Sequence, residues 1–265
     1  MKLTILVDNQ AAPGLLAEHG LAVWIEADGQ RILFDTGAGQ ALVPNAGELG
    51  IDLASADHIV LSHGHHDHTG GLAAALGLAP RARVWLHSDV FRPRWGSLPD
   101  RPAHANGLPD ASRAALSAAT VTYVSGPLRI TDHLGLTGPV PRLTDFEDTG
   151  GRFFVDPDAQ LPDPITDDQA LWLTTDRGLV VVLGCAHAGL VNTLRWALEV
   201  SGAERLRAVV GGCHLLAADA ERLAATRRAL DAWSPDLLIA CHCSGEVAAG
   251  WGQPGGAGCV VELAT

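Results

Sequence analysis

Residues 57–71 read DHIVLSHGHHDHTGG, and the rest of the chain is best interpreted outward from this stretch. The apolar run from Ile59 to Leu61 predicts a short buried strand, which ends at Ser62. Gly64 then allows a tight turn, and Gly70-Gly71 allows close entry into a following helix. Imidazole and carboxylate groups are favoured metal ligands, so the stretch predicts a metal site at a strand end. The side chains able to bind are His63, His65, His66, Asp67 and His68.

The spacing of these side chains suggests two ions rather than one. His63 and His65 are two positions apart, so both can point the same way and bind one ion. Asp67 and His68 follow and can bind a second ion, whereas His66 falls on the opposite side and is not expected to be a ligand. The alternative is a solvated histidine-rich loop with adventitious affinity. The order His-x-His-x-Asp-His at a strand end is more specific than histidine content alone, which favours the metal site.

Composition limits the possible classes of protein. The chain has 265 residues and 47% hydrophobic content, enough for one large α/β domain or two small ones. With 18 Lys+Arg against 30 Asp+Glu, its net charge of −12 disfavours a nucleic-acid partner. The N-terminal residues include one basic residue and too short an apolar run to predict a signal peptide, and no apolar stretch of about twenty residues predicts a membrane span. Five cysteines without an export signal favour reduced thiols and a cytoplasmic location.

The first third of the chain predicts strands over 3–7, 21–27 and 31–34, with Asp28-Gly29 suited to a hairpin turn. A helix over 39–50, broken around Pro44, and a helix over 70–78 are expected. Asp35 follows the third strand and is a candidate to support the metal site without binding the metal. It would accept a hydrogen bond from the N–H of a metal-bound histidine. A turn-capping aspartate is the alternative. Asn9, after the first strand, is a weaker candidate for the border of the site.

Two stretches, at about 88–110 and 126–168, lack periodicity and predict covering loops over a single domain that spans residues 1–265. Arginines in the first stretch, and Arg142 in the second, are able to meet an anionic substrate. Solvation of the surface is the favoured interpretation for those of the first stretch, Arg92, Arg94 and Arg101.

The last third contains predicted strands over 170–174, 179–183, 208–210 and 237–240. Four apolar strands of the chain are thus followed by histidine, at His63, His187, His214 and His242. Ligands in α/β proteins gather at the carboxyl ends of strands, so these imidazoles are expected to converge. The hypothesis assigns His63, His65 and His187 to the first ion, and Asp67, His68 and His242 to the second. Three protein ligands for each ion leave positions open, as a catalytic site requires.

Two features remain open at this point. His214 either faces the substrate, as proton donor or oxyanion partner, or replaces His187 or His242 as ligand. Four cysteines flank the strand-end histidines, and the favoured interpretation is that these cysteines are small buried residues that line the pocket. A closed cysteine zinc site would need paired thiols at matching spacings, and Cys241-x-Cys243 is the only close pair in the sequence. A redox pair there is a further alternative, although its spacing is not the usual Cys-x-x-Cys. Cys185 is a candidate for an unusual additional ligand.

Nearly the whole chain resembles the metallo-β-lactamase superfamily. The residues that carry the resemblance are LFDTG at 33–37, the cluster at 63–68, GCAHAG at 184–189 and HCSG at 242–245. The resemblance implies an α/β (α+β) protein, a four-layer αββα sandwich with the metals at one edge. Within the superfamily the chain is similar to the branch of the methanopterin-pathway dihydropterin–ribofuranosylaminobenzene 5′-phosphate synthase, many members of which are called metal-dependent hydrolases. VDN at 7–9 and GGCHL at 211–215 belong to that similarity.

The chain also departs from the superfamily pattern. A Thr-Pro-Gly-His-Thr segment is absent, and Cys185 stands where many members place a bridging aspartate. The third ligand of the first ion and the bridging ligand are therefore open. His65, where the diiron relatives have glutamate, implies two divalent ions of the zinc type, with manganese and iron as alternatives.

The resemblance implies an enzyme that uses a metal-bridged hydroxide to hydrolyse an ester, lactone or phosphodiester-type small molecule, with Asp67 and His214 in catalytic roles. The first alternative is a transferase that joins a dihydropterin to ribofuranosylaminobenzene phosphate, with arginines for the phosphate and Trp85, Trp95 or Trp172 for the ring. The second is a non-catalytic metal or ligand sensor. The expected partner is a small, anionic molecule rather than nucleic acid or membrane, and a homodimer is an open alternative.

Overall fold

The computed structural model describes residues 1–97 and 102–264. Within them the strands are β1 (Lys2–Val7), β2 (Ala22–Ala27), β3 (Gln30–Phe34), β4 (His58–Val60), β5 (Arg83–Leu86), β6 (Trp95–Gly96), β7 (His104–Ala105), β8 (Thr120–Tyr123), β9 (Leu128–Arg129), β10 (Leu134–Leu136), β11 (Phe153–Phe154), β12 (Leu171–Thr175), β13 (Gly178–Leu183), β14 (Leu206–Gly212), β15 (Leu237–Cys241) and β16 (Val260–Glu262). The α-helices are α1 (Leu42–Glu48), α2 (His66–Thr69), α3 (Leu72–Leu78), α4 (Asp110–Leu116), α5 (Leu190–Ser201), α6 (Ala220–Trp233) and α7 (Gly245–Ala249). Two 3-10 turns lie at Leu53–Ser55 and Ser88–Phe91.

These elements form two compact units. The first comprises Met1–Tyr123, Arg152–Asp167 and Gly256–Leu263. The second comprises Val124–Gly151, Asp168–Gly255 and the C-terminal Ala264.

The first unit is built on a seven-stranded sheet in the order β16-β1-β2-β3-β4-β5-β8. Strands β3, β4, β5 and β8 run parallel, and the others pair antiparallel. The predicted hairpin between β2 and β3 is confirmed: Asp28 and Gly29 both have positive φ, as a two-residue turn of the favoured twist requires. Apolar side chains of this sheet form one core cluster with those of α1, α3 and α4.

The second unit contains a six-stranded sheet in the order β15-β14-β13-β12-β10-β9, of which β13, β14 and β15 are parallel. Helix α5 connects β13 to β14, and α6 connects β14 to β15. Leu190 and Leu194 of α5 are buried in the core of this unit. Helix α5 ends at Gly202, the C-cap, in the left-handed conformation that favours glycine.

Two local predictions are wrong and one is confirmed. Helix α1 is continuous across Pro44, because a proline in the first turn loses no intrahelical N–H bond. The helix predicted over 70–78 is confirmed as α3, and residues 66–69 before it form the further short helix α2. The stretches expected to be irregular contain short strands, and β11-β6-β7 form a three-stranded sheet of the first unit.

Both units place the carboxyl ends of parallel strands beside the predicted site residues. Asp35 follows β3 and His63 follows β4 in the first unit, while His187, His214 and His242 follow β13, β14 and β15 in the second. Since these ends lie along one edge of each sheet, each unit has its own row of candidate donors.

Candidate metal centre

The loop after β4 holds four of the predicted ligands in a buried cluster. His63 and His68 are fully buried, and His65 and Asp67 nearly so. The ring centroid of His63 lies 4.6 Å from that of His65 and 4.3 Å from that of His68. His66, which was not expected to be a ligand, has a side chain that is 42% exposed.

The donor atoms in this loop fit divalent metal ions. His63 Nε2 and His65 Nδ1 lie 2.9 Å apart, and His68 Nε2 lies 3.8 Å from Asp67 Oδ2. Two donors bound to one tetrahedral zinc ion at about 2.0–2.1 Å would lie roughly 3.3 Å apart. Both observed separations are close to that value, so small rotations would bring either pair onto an ion.

A hydrogen-bond network around Asp35 fixes which imidazole nitrogens face the cluster. Asp35 is fully buried directly after β3, and its carboxylate accepts from His68 Nδ1 at 2.8 Å and from the Ser62 backbone N–H and hydroxyl, each at 2.7 Å. Because the Ser62 hydroxyl donates its one proton to Asp35, it accepts from His63 Nδ1, 2.9 Å away. His63 and His68 therefore carry protons on Nδ1 and present Nε2 as a metal donor. The hydrogen bond predicted for Asp35 is present; that His68 binds metal stays a prediction.

The electrostatics favour neutral imidazole in this loop. Burial, followed by the neighbouring His68 and His65, holds the pKa of His63 well below its ordinary value. A histidine must be neutral to bind a metal, so His63 is already in the ligand-competent state near neutral pH.

Asp67 has a neighbour that sequence analysis missed. His19 Nε2 lies 3.3 Å from Asp67 Oδ2, and the His19 side chain is 68% exposed. The backbone N–H of Leu21 also donates to the Asp67 carbonyl at 3.2 Å. The chain around Gly20 runs so close to Asp67 that an added Cβ would lie 2.6 Å from the same carbonyl oxygen. A lone histidine in a loop offered no sequence signal for this contact. Asn9, the other predicted border residue, accepts from the Gly20 N–H at 3.3 Å.

The second unit brings its donors together at the ends of its three parallel strands. Three non-glycine residues there have left-handed backbones: Ala186 at φ 54°, His214 at φ 45° and His242 at φ 55°. Such conformations cost of order 1–3 kcal/mol and cluster at functional sites. The strain therefore marks these strand ends as the functional edge of the sheet.

His187 is oriented by the backbone of the preceding loop. Its Nδ1 donates to the Thr149 carbonyl at 2.8 Å, which leaves Nε2 as its donor atom. Its ring centroid lies 4.3 Å from that of His214. Arg142 donates to the His187 carbonyl at 2.8 Å, so part of its guanidinium is committed to the backbone of this strand end. A substrate contact by Arg142 stays a prediction.

The buried thiols of this unit have different electrostatics. Burial raises the pKa of Cys213 to about 12. Burial also opposes ionisation of Cys243, but the hydrogen bond to Cys185 and the charges of His214 and His242 outweigh it, and the pKa of Cys243 is well below its ordinary value. The described residues include all five cysteines, and none of them is in a disulfide bond.

The expectation that the arginines of the first covering loop are solvated is wrong for Arg94. Its side chain is fully buried, with Nε 2.8 Å from Asp163 and Nη2 2.5 Å from Asp167. Asp167 also accepts a hydrogen bond from the backbone N–H of Gly64 at 2.8 Å. The ion pair is therefore joined to the loop at 62–69 that follows β4, the metal loop. Arg92 does lie at the surface, in an ion pair with Asp89. Arg101 lies outside the described residues.

Two strand-end clusters of imidazole, carboxylate and thiol donors, in mixed sheets flanked by helices, define an α/β protein with donor sets that could hold metal ions. The family model of the Metallo-beta-lactamase superfamily matches residues 16–190. The chain belongs to this superfamily, and the fold class predicted from the sequence is confirmed.

The most similar relatives include both a synthase and hydrolases. The chain is 29% identical over 241 residues to 7,8-dihydropterin-6-methyl-4-(beta-D-ribofuranosyl)-aminobenzene-5′-phosphate synthase of Methanocaldococcus jannaschii, covering 86% of this chain and 82% of the relative. It is 26% identical over 182 residues to the hydroxyacylglutathione hydrolase of Aeromonas hydrophila, covering 67% and 65%. The solved structure of Tm1679, a metal-dependent hydrolase of the beta-lactamase superfamily, superposes with a TM-score of 0.86 at 29% identity and covers 100% of both chains. The predicted resemblance, including its branch, is confirmed.

The superfamily consists mostly of enzymes, and its members typically bind divalent metals such as zinc. Among the described residues, every helix is too short or too polar to cross a lipid bilayer.

Proposed function

We propose that the protein is a dinuclear metal-dependent hydrolase acting on an ester, lactone or phosphodiester bond of a small molecule. The observation that carries this proposal is the Asp35–Ser62 network, which holds the protons of His63 and His68 on Nδ1 and leaves Nε2 of each ring as a metal donor. The two ring centroids lie 4.3 Å apart in a buried loop. Fixed imidazole tautomers of this kind are what metal ligands require and what a solvated histidine-rich loop lacks.

The proposed ligands are His63, His65 and His187 for one ion and Asp67, His68 and His242 for the other. Divalent ions bound there would lower the pKa of water to about 7 and polarise the scissile carbonyl or phosphoryl oxygen. Zinc suits the imidazole-rich donor set, with manganese or iron as alternatives.

The remaining work falls to side chains of the chain itself. Asp67 is proposed to accept a proton from water, because its carboxylate is nearly buried and lies beside the imidazoles of His68 and His19. His214 is proposed to donate a proton to the leaving group, because its ring lies beside that of the proposed ligand His187, with the ring centroids 4.3 Å apart. A compact substrate is proposed, rather than a nucleic acid, because the chain carries a net charge of −12.

The test is metal-dependent turnover on a panel of esters, lactones and phosphodiesters. His63→Ala should abolish turnover and zinc binding at the first position while the circular dichroism spectrum stays that of the wild type. His104→Ala, at an exposed position of β7, is the matched histidine control and should keep full turnover. Full activity in His63→Ala, or in wild-type protein after exhaustive chelation, would refute the proposal.

A transferase that joins a pterin to a ribosylated aminobenzene phosphate is a second candidate, favoured by the 29% identity to the Methanocaldococcus jannaschii synthase. Trp172 is excluded as the ring-stacking residue of this reaction because it is 1% exposed in the core. Release of diphosphate from a dihydropterin diphosphate only when the aminobenzene partner is present would identify transfer. Metal binding with no turnover in either assay would indicate a sensor.

A further inference from the structure

Cys185 occupies the middle of the donor cluster in the second unit. It lies two residues beyond the end of β13, and its Sγ is within 4.8 Å of a ring nitrogen of His187, of His214 and of His242. The same sulfur is also within 4.8 Å of Cys243 Sγ. Cys185 is 3% exposed and His187 is fully buried, whereas His214 and His242 are half-buried.

The backbone is shaped to bring these donors close. Ala186 adopts a left-handed φ of 54°, which turns the chain between Cys185 and His187. A Cβ on Gly212 would lie 2.4 Å from the Gly184 carbonyl and 2.7 Å from Cys243 Sγ, so only glycine lets β14 approach this turn. The main chain therefore brings β14 into direct contact with the turn that carries Cys185.

The spacing fits coordination through sulfur. Nitrogen and sulfur donors bound to one tetrahedral ion at about 2.0 and 2.3 Å lie roughly 3.5 Å apart. Small rotations of the Cys185 and histidine side chains would close the remaining distance. His187 and His242 are proposed above as ligands of different ions, and Cys185 is within reach of both.

We propose that Cys185 is a metal ligand through its sulfur, shared between the ion bound by His187 and the ion bound by His242. This inference rests on the proposed function for the identity of those two histidines as ligands. On binding, the S–H bond breaks, the proton leaves to solvent and the sulfur lone pair forms the bond to metal, so no oxidant or reductant is required.

Cys243 is the rival sulfur, but its surroundings differ. The backbone N–H of His214 donates to Cys243 Sγ at 3.3 Å, and the Cys243 thiol lies 3.9 Å from the Cys185 carbonyl oxygen. Two main-chain groups therefore engage the Cys243 sulfur. The sulfur that reaches both strand-end histidines is that of Cys185.

A sulfur ligand determines which metals the centre selects. Thiolate prefers zinc, cobalt and cadmium, whereas magnesium and manganese prefer oxygen ligands. The proposal therefore narrows the native metal to a thiophilic ion and predicts that manganese binds much more weakly.

Cobalt(II) substitution of the full chain provides a direct readout. The cobalt protein should show a near-ultraviolet thiolate-to-cobalt charge-transfer band. Cys185→Ser should lose the band and bind cobalt about tenfold or more weakly, since even outer partners of metal ligands contribute 10–100-fold. Cys243→Ser should keep the band, and so should Cys259→Ser, the matched control in the first unit.

Several results would overturn the assignment. These are a wild-type cobalt protein without the band, a band that survives in Cys185→Ser, or a band lost in Cys243→Ser. A titration of the unfolded protein that detects three free thiols instead of five, because Cys185 and Cys243 form a disulfide, would also overturn the assignment. If Cys185→Ser does not fold, the charge-transfer band of the Cys243→Ser protein tests the assignment instead. In that protein Cys185 is the remaining sulfur donor of the cluster.

Turnover measured in parallel separates the two proposals. A cobalt protein with the thiolate band but no hydrolysis would sink the proposed function and leave the ligand assignment standing. Hydrolysis by a cobalt protein that lacks the band would refute the ligand assignment and leave the proposed function standing.

Discussion

Replacing Asp167 by asparagine removes the charge that binds a buried arginine to the metal loop. Arg94 and Asp167 are joined by two hydrogen bonds, at 2.5 and 3.0 Å, and both side chains are fully buried. Burial alone would lower the pKa of Arg94, but Asp167 and Asp163 outweigh it and raise that pKa, so the arginine stays charged. In Asp167→Asn the guanidinium keeps one carboxylate, that of Asp163.

The expected loss of stability follows from this geometry. Breaking a buried ion pair by removing one partner costs about 3–5 kcal/mol, because the other charge is left without compensation. We expect about 3 kcal/mol, the lower end, because Asp163 remains and the asparagine oxygen can still accept from Gly64. For a chain of this size that is a fall in melting temperature of roughly 6–12 °C. Zinc binding should weaken as well, since Gly64 lies between His63 and His65.

Calorimetry and a zinc competition titration check this prediction. The matched control is Arg92→Ala, which removes a half-exposed ion pair with Asp89 and should change stability by no more than about 1 kcal/mol. A melting temperature for Asp167→Asn that matches the wild type would show that the buried pair does not support the metal loop.

Three further perturbations test other parts of the structure. Asp35→Asn should weaken zinc binding 10–100-fold in a competition titration, because an amide cannot accept all the bonds that orient His68, and unchanged affinity would contradict this. Burial lowers the pKa of His58, whose Nδ1 accepts from the Trp85 indole N–H, so the folded state favours the neutral ring. The resulting contribution to the free energy of unfolding is fully present above the unfolded-state pKa and is lost as the pH falls below it. An NMR titration should give His58 a midpoint below that of an unfolded-state histidine, and an equal or higher midpoint would count against it. Glu18→Gln should reduce the free energy of unfolding by about 1–3 kcal/mol in urea titrations, because the carboxylate accepts four consecutive backbone N–H groups at 38–41, and a smaller loss would show that these bonds are dispensable.

Much of the candidate site was predictable because its signals are local. A short apolar run predicts a buried strand, and a glycine and donor side chains directly after it predict a site at the strand end. This reasoning identified His63, His187, His214 and His242 at the ends of parallel strands, and it identified Asp35 as a partner for a histidine. Family resemblance supplied the fold class from the same residues.

The parts that sequence reasoning missed depend on long-range contacts. Arg94 looked like a surface arginine, but its carboxylate partner Asp167 is 73 positions away in the chain. His19 carries no local signal, and its position beside Asp67 follows from the packing of the chain around Gly20. Such long-range pairs decide whether a charged side chain is buried or exposed, yet they leave no pattern in the sequence around either residue.

The sequence by itself determined the strand-end donors, the superfamily and the fold class, because hydrophobic periodicity and ligand spacing are properties of adjacent residues. Only the tertiary structure decided that the Asp35 carboxylate orients both His63 and His68, and that Arg94 is buried against the metal loop. It also placed the Cys185 sulfur within 4.8 Å of a ring nitrogen of His187 and of His242. The physical reason is that hydrogen bonds and ion pairs act over about 3 Å in space, and the chain brings distant residues to that distance only when its sheets form.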